Sequence, residues 1–155
     1  MKRTYGVGVL GLDHWYWGLN IVPQIAKHPR LRLVWVYEPQ TWRLRDLEAQ
    51  SYGLAADPEE IIRDPGVDIV LSLLPSRTGA PWLAKAAAAG KALLCNKPLA
   101  FDMKGAGAIQ KALIKTGRPS FCLEGNSQLS NRQALVRGIL KGGTLGRVLT
   151  VTLGM

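Results

Sequence analysis

Apolar and polar positions follow two periods in turn along this chain. Tyr5 to Leu10 is an apolar run with β-branched Val7 and Val9, which predicts a buried strand. The run breaks at Gly11, and a helix-like stretch from Trp15 to His28 follows, with Leu19, Val22 and Ile25-Ala26 at three- and four-residue spacing. Pro23 falls inside it and marks either a kink or a late start. Leu31 to Tyr37 is a second strand, ending at Glu38-Pro39. Thr41 is placed to cap a helix reaching about Tyr52, with Gly53 as its stop.

The alternation continues to the end of the chain. Asp57-Pro58-Glu59-Glu60 carries a cap, a first-turn proline and early acids, and so opens a short helix that closes at Asp64-Pro65-Gly66. Val67 to Leu74 is almost continuously apolar, as a strand covered on both faces should be, and stops at Pro75. Pro81 suits the first position of a helix through Ala89, with Gly90 as its stop. Lys91 to Cys95 is the next strand, and Asn96-Lys97-Pro98 the turn after it. A helix from about Met103 to Thr116, weakened by Gly105 and Gly107, leads to strand Ser120 to Leu123. A last helix, roughly Ser130 to Lys141, passes through Gly142 to Gly146 into a strand from Arg147 to Leu153. Strands alternating with helices at this pitch predict an α/β fold with a doubly wound, parallel, right-handed sheet.

Composition narrows the class without changing that picture. With 155 residues, 47% of them hydrophobic, the chain has enough material for a buried core. No run approaches a membrane span, and Met1-Lys2-Arg3-Thr4 leads into a strand rather than a signal-peptide apolar region, so a cytoplasmic location is expected. Cys95 and Cys122 each sit in an apolar segment without partner spacing, which suits buried reduced thiols, and no metal site is expected. The net charge of +9 belongs to the second half: from Arg77 onward twelve Lys and Arg face only Asp102 and Glu124. Such a field favours anions. Lys104, Lys111 and Lys115 nevertheless fall at helical spacing, as a solvated face would, and no aromatic-interleaved basic cluster accompanies them, so nucleic acid is not an expected partner.

In an open α/β sheet ligands bind at the carboxyl ends of the strands, where strand order reverses. The turns that matter are therefore Gly11 to Asp13, Glu38-Pro39, Pro75 to Gly79 and Asn96 to Pro98. Glu38 lies 27 residues after Gly11 at the end of the second strand, where a dinucleotide fold keeps the carboxylate that accepts from the adenosine ribose. No arginine follows it immediately to receive a 2′-phosphate, which favours NAD over NADP. Asp13 stands where a dinucleotide fingerprint has its second glycine. Two uses are open to it: opposing a pyrophosphate, or capping the following helix in a phosphate's place. The rings of Trp15, Tyr16 and Trp17 either pack under the sheet or narrow the pocket.

Several segments carry a specific likeness in order: Val7 to Gly11, the strand ending in Glu38, Asp64-Pro65-Gly66-Val67-Asp68-Ile69-Val70, Pro75, Ala89-Gly90-Lys91, Lys97-Pro98-Leu99-Ala100 and Gly143 to Val148. Together they resemble the amino-terminal Rossmann domain of the Gfo/Idh/MocA (glucose-fructose oxidoreductase / inositol 2-dehydrogenase) family. The resemblance implies hydride transfer between a nicotinamide and the carbinol carbon of a sugar, cyclitol or related polyol. It implies that Lys97 lies beside the nicotinamide and the substrate hydroxyl, polarising that oxygen. It also implies that Gly11, Leu12, Asp13, His14, Glu38, Pro75 and Asn96 surround the cofactor.

The sequence departs from the family at four positions. Asp13 replaces a glycine, Asn96 the glutamate before Lys-Pro, Gly79 a frequent histidine, and Gln128 a frequent arginine. Residues 1–124 then form the dinucleotide domain, and 125–155 a connecting helix and the first strand of a second domain whose remainder, with its acid-base residues, the family places further on. From this follow three expectations: little turnover from this chain alone, a homo-oligomer paired through the last strand, and, as the other reading of the whole, a non-catalytic nucleotide-binding or assembly module.

Overall fold

The computed structural model describes residues 3–14, 17–47, 52–123, 131–150 and 152. The chain divides into two units, Met1–Leu123 and Glu124–Met155. The first contains β1 (Tyr5–Leu10), α1 (Gly18–Lys27), β2 (Leu31–Tyr37), β3 (Gly53–Leu54), α2 (Pro58–Arg63), β4 (Ile69–Ser72), α3 (Ser76–Ala88), β5 (Ala92–Cys95), α4 (Met103–Thr116) and β6 (Ser120–Cys122). The strands form one parallel sheet in the order β3-β2-β1-β4-β5-β6. β2 and β4 thus leave β1 in opposite directions, and the crevice between their crossovers opens at the carboxyl ends.

Alternation along the strands divides the core between the two faces of this sheet. Val7, Val9 and Leu71 pack with Ile21, Val22 and Ile25 of α1, while Leu10, Val70 and Leu93 pack with Ile61, Leu83, Ala87 and Ile109 of α2, α3 and α4. One irregularity adjusts the pattern. The β1–β2 register shifts between Val7 and Gly8, leaving Val34 as an extra residue, so that Leu33 and Val36 face the same cluster although three positions apart.

Several predicted elements stand with moved edges. α2 begins as expected, with Asp57 accepting from the Glu59 N–H at 2.7 Å and Pro58 in the first turn. α4 tolerates its glycines because Asp102 caps it, accepting from the Gly105 N–H at 2.7 Å, and because Gly117 closes it in the left-handed region. α3 begins at Ser76, five residues before the expected start, and holds Pro81 in its interior. Its inward face of Gly79, Ala80, Leu83, Ala86 and Ala87 recurs every three or four residues, and that packing outweighs a proline on the exposed side. Pro23 is likewise interior to α1.

Two expectations are corrected. The helix predicted from Thr41 is a 3-10 turn over Thr41–Leu47; residues 48–51 lie outside the described set. Gly53, predicted as a helix stop, instead starts the two-residue strand β3, where the Trp35 ring lies so close that a Cβ on Gly53 would come within 2.3 Å of it. In the second unit α5 spans Asn131–Lys141, and Arg147–Thr150 and Thr152 make no ladder bonds with the described residues of this chain. A strand expected to pair with another copy of the chain finds its ladder bonds only there. Trp15, Tyr16 and Gln128 lie outside the described residues; Trp17 is half-buried against the α1-side core.

At the amino ends of the strands a polar latch joins four segments. The Lys91 ammonium is buried and donates to the backbone oxygens of Asp64 at 2.7 Å and Val67 at 2.8 Å. Asp64 accepts from Trp35 Nε1 and from the Gly66 N–H, both at 2.6 Å, and Asp68 accepts from the Gly6 N–H at 2.9 Å. The hydrogen bond from Trp35, more than any other influence, holds the Asp64 carboxyl below the usual aspartate value, while burial lowers the Lys91 ammonium. Ala89-Gly90-Lys91 and Asp64 to Asp68 are therefore a structural signature, at the end of the sheet opposite the crevice.

Candidate functional site

The site is built on the turn after β1. Gly11 has φ +80°, a conformation side chains rarely adopt, and a Cβ there would stand 2.5 Å from Leu74 Cδ2. Only glycine lets the chain leave β1 so close to the end of β4. Glu38 lies buried at the end of β2 and holds this turn: one carboxylate oxygen accepts from the Leu12 N–H at 2.5 Å, the other from the Gln40 N–H at 2.8 Å. The start of α1 is organised by His14, whose Nδ1 accepts from the Trp17 N–H at 3.2 Å and whose carbonyl accepts from the Gly18 N–H at 2.7 Å. α1 has Trp17 at its N-cap position and no side-chain cap among the described residues, so Asp13 does not take the capping use open to it. Asp13 instead pairs with the Arg43 guanidinium at 2.5 Å.

Three depressions meet at Asp13. A cavity of about 280 Å³ runs from Asp13 and His14 past Pro75 and Gly79 to Asn96 and Lys97. A second, about 310 Å³, lies between Asp13, Glu38, Pro75 and Trp82. A third, about 350 Å³, lies over Leu12, Asp13, Trp42 and Arg43. The predicted residues therefore converge: Asp13, His14, Pro75, Asn96 and Lys97 share one cavity, Glu38 joins Asp13 and Pro75 in the next, and Leu12 lines the third.

Within the first cavity the donors and acceptors are arranged asymmetrically. Lys97 is exposed at the mouth, before the cis peptide to Pro98. Asn96 Oδ1 is buried and has no hydrogen-bond partner among the described residues, so it presents an unused acceptor. The Cys95 thiol forms part of the wall, donates to the Phe121 carbonyl at 3.5 Å and is pushed up to about 11 by burial, which leaves it protonated and unreactive. Both cysteines are free thiols. At Gly79 a Cβ would stand close to Ser72 Oγ at 3.0 Å and Leu74 Cβ at 3.2 Å, so α3 seats tightly on the end of β4 there.

Arg43 is the residue that sequence reasoning missed. It lies thirty residues from Asp13, in a polar segment whose only signal was a basic side chain shortly after Glu38. The 3-10 turn brings its guanidinium across to the glycine turn and over the Trp42 ring, 5.0 Å from the ring centre. Among the described residues there is no group of three or more His, Cys, Asp or Glu able to hold a metal, and no helix long and apolar enough to cross a membrane.

A doubly wound parallel sheet whose glycine turn, β2 carboxylate and β4 and β5 turns surround one crevice defines a nucleotide-binding α/β domain. More particularly, this chain belongs to the Gfo/Idh/MocA oxidoreductase family, as its NAD-binding Rossmann domain: the family's sequence model matches residues 5–122. It is 31% identical over 122 residues to scyllo-inositol 2-dehydrogenase (NAD(+)) of Bacillus subtilis, covering 76% of this chain and 34% of that protein. It is 30% identical over 146 residues to inositol 2-dehydrogenase 4 of Saccharopolyspora erythraea, covering 93% and 41%. Among solved structures, the WlbA dehydrogenase of Bordetella pertussis in complex with NADH and UDP-GlcNAcA shares the fold, with a TM-score of 0.78 at 21% identity over 94% of this chain and 44% of that one. The chain thus spans about two fifths or less of the curated relatives named here.

The residues present suit a nicotinamide dinucleotide. Gly11 leaves space that a Cβ would fill, Arg43 Nη1 and Asn96 Oδ1 are buried polar atoms without partners among the described residues, and Glu38 uses two of its roughly four lone-pair positions among them.

Proposed function

We propose that this chain binds NAD(H) and contributes the cofactor half of a dehydrogenase acting on a cyclitol, sugar or related polyol. The observation that carries this reading is the convergence of Asp13, His14, Pro75, Asn96 and Lys97 on one cavity at the carboxyl ends of β1, β4 and β5. When bound, the nicotinamide supplies the hydride acceptor or donor.

The chain's own residues would then divide the work. Glu38 has lone pairs left for the adenosine ribose hydroxyls and, as a buried carboxylate, disfavours a 2′-phosphate, which is the reason for reading NAD before NADP. Asn96 Oδ1 accepts from a donor group at the nicotinamide end. Lys97 places an ammonium at the cavity mouth, where it would donate to the reacting oxygen of the substrate and favour the alkoxide-like charge that forms there when the hydroxyl proton passes to a base, a charge consumed as hydride leaves the carbon and regenerated when hydride adds to the carbonyl in the reverse direction. The relatives named as inositol 2-dehydrogenases support a polyol substrate class.

Calorimetric titration with NAD+ and fluorescence titration with NADH test the cofactor reading. Micromolar affinity that falls on Glu38→Gln is the expected result; no binding at millimolar NAD+ or NADP+ refutes it and leaves the assembly-module reading. Lys97→Met is expected to leave NADH affinity within about threefold while removing any protection of the complex by added inositol.

A further inference from the structure

The Asp13–Arg43 pair is anomalous at this position. A nucleotide-binding turn offers backbone N–H groups to phosphate, with a glycine where the chain approaches it. Here the Leu12 N–H is already committed to Glu38, and the Trp17 and Gly18 N–H groups to His14. Asp13 adds a carboxylate to the same turn. Backbone donors alone therefore make a poor anion site.

Arg43 supplies what they lack. Its side chain is mostly covered, with 17% of its surface exposed against 36% for Asp13. Its Nη2 pairs with Asp13, and its Nη1 is buried without a hydrogen-bond partner among the described residues. An unpaired guanidinium N–H is costly to bury. The Arg43 side chain lines the depression of about 350 Å³ over Leu12 and Asp13, beside the glycine turn. Guanidinium forks suit phosphate oxygens, which make two parallel charge-assisted hydrogen bonds with them.

We propose that Arg43 is the phosphate ligand of this turn, and that Asp13 is its resident counter-ion, which a phosphate of the bound dinucleotide displaces or shares. This inference rests on the nucleotide reading above and adds a device to it: an internal carboxylate holds the arginine in place when no ligand is bound and weakens binding by competing for it. The substitution of the family's glycine by Asp13 is thereby matched by a charge from another segment, and the net charge at the turn is balanced before the ligand arrives. The phosphate has two sources, the pyrophosphate shared by NAD+, NADP+ and ADP, and the 2′-phosphate that NADP+ alone carries.

Titration calorimetry of wild type, Arg43→Gln, Asp13→Asn and the double variant against NAD+, ADP and NADP+ decides the matter. The two single variants are expected to act in opposite directions. Arg43→Gln weakens binding about 10- to 100-fold, the range for losing a hydrogen bond to a charged group. Asp13→Asn tightens it severalfold, and added to Arg43→Gln it recovers part of the loss by removing an uncompensated carboxylate. A purely structural ion pair predicts the opposite pattern: both single variants weaken binding alike, because both break the same contact. That result, or no change in either, overturns the proposal. Equal losses on all three ligands place the contact at the pyrophosphate; a loss on NADP+ alone places it at the 2′-phosphate. If wild type binds none of the three, the nucleotide reading itself fails, whereas binding indifferent to Arg43 sinks only this inference. Thermal melts accompany each variant, and if Arg43→Gln does not fold, Arg43→Lys, which keeps the charge and loses the fork, is expected to weaken binding by about tenfold or less.

Discussion

Replacing Lys91 with methionine separates the structural signature from the site. The Lys91 ammonium makes two hydrogen bonds to backbone oxygens, at 2.7 and 2.8 Å, and its side chain is buried between β5 and the loop before β4. A hydrogen bond involving a charged group contributes about 1.5–3 kcal/mol, so the pair contributes roughly 3–6 kcal/mol before desolvation is counted. Methionine fills a similar volume and removes the cost of burying an ammonium, but it leaves both carbonyls without a donor. A net loss of about 2–4 kcal/mol follows, the size expected for breaking a buried polar network. For a unit of this length that is a Tm lower by roughly 5–15 °C. The assay is a calorimetric melt, followed by NADH titration well below the melting range. Affinity per folded molecule is expected to be unchanged, since Lys91 lies at the opposite end of the sheet from Asp13, Asn96 and Lys97. A Tm within about 1 °C of wild type would refute the latch, and weakened NADH binding without loss of stability would show that this signature belongs to the site after all.

Two further predictions use the same framework. Gly11→Ala combines a strained φ of +80° with a Cβ 2.5 Å from Leu74 Cδ2, and should cost about 1–3 kcal/mol in a denaturant titration as well as weaken nucleotide binding; a melt and an affinity matching wild type would show that the turn does not need glycine. Because the Trp35 hydrogen bond holds the folded-state Asp64 carboxyl below its ordinary value, its contribution is present above that value and fades as pH falls through it. Asp64→Asn should therefore lower stability at neutral pH and flatten the acid limb below about pH 4, and an unchanged limb in Tm against pH would contradict the assignment.

Much of the fold is legible along the chain because its signals are local. The apolar run from Tyr5 to Leu10, the cap and proline at Asp57-Pro58 and the stop at Gly90, with φ +79°, each act within a few residues, and the parallel order follows from alternation of strand and helix. Where the reading moved, a distant contact outweighed a local preference. α3 starts at Ser76 because its small-residue face seats on β4 and β5, not where Pro81 would have begun it. Gly53 joins a strand because Trp35 lies over it.

The same division holds at the site. From the sequence came the turn at Gly11, the carboxylate at Glu38 and the Asn96-Lys97-Pro98 corner, since strand ends in a doubly wound sheet all point toward one crevice. What each group does there was decided in three dimensions. Glu38 fastens the Leu12 and Gln40 N–H groups, His14 accepts from the Trp17 N–H ahead of an uncapped α1, and Arg43 crosses from a turn thirty residues away to meet the Asp13 carboxylate. Hydrophobic periodicity specifies where chain segments lie, because burial acts on every residue of a pattern. Pairing between single charges leaves no period in the sequence, and it becomes visible only when the folded backbone brings the two side chains within reach.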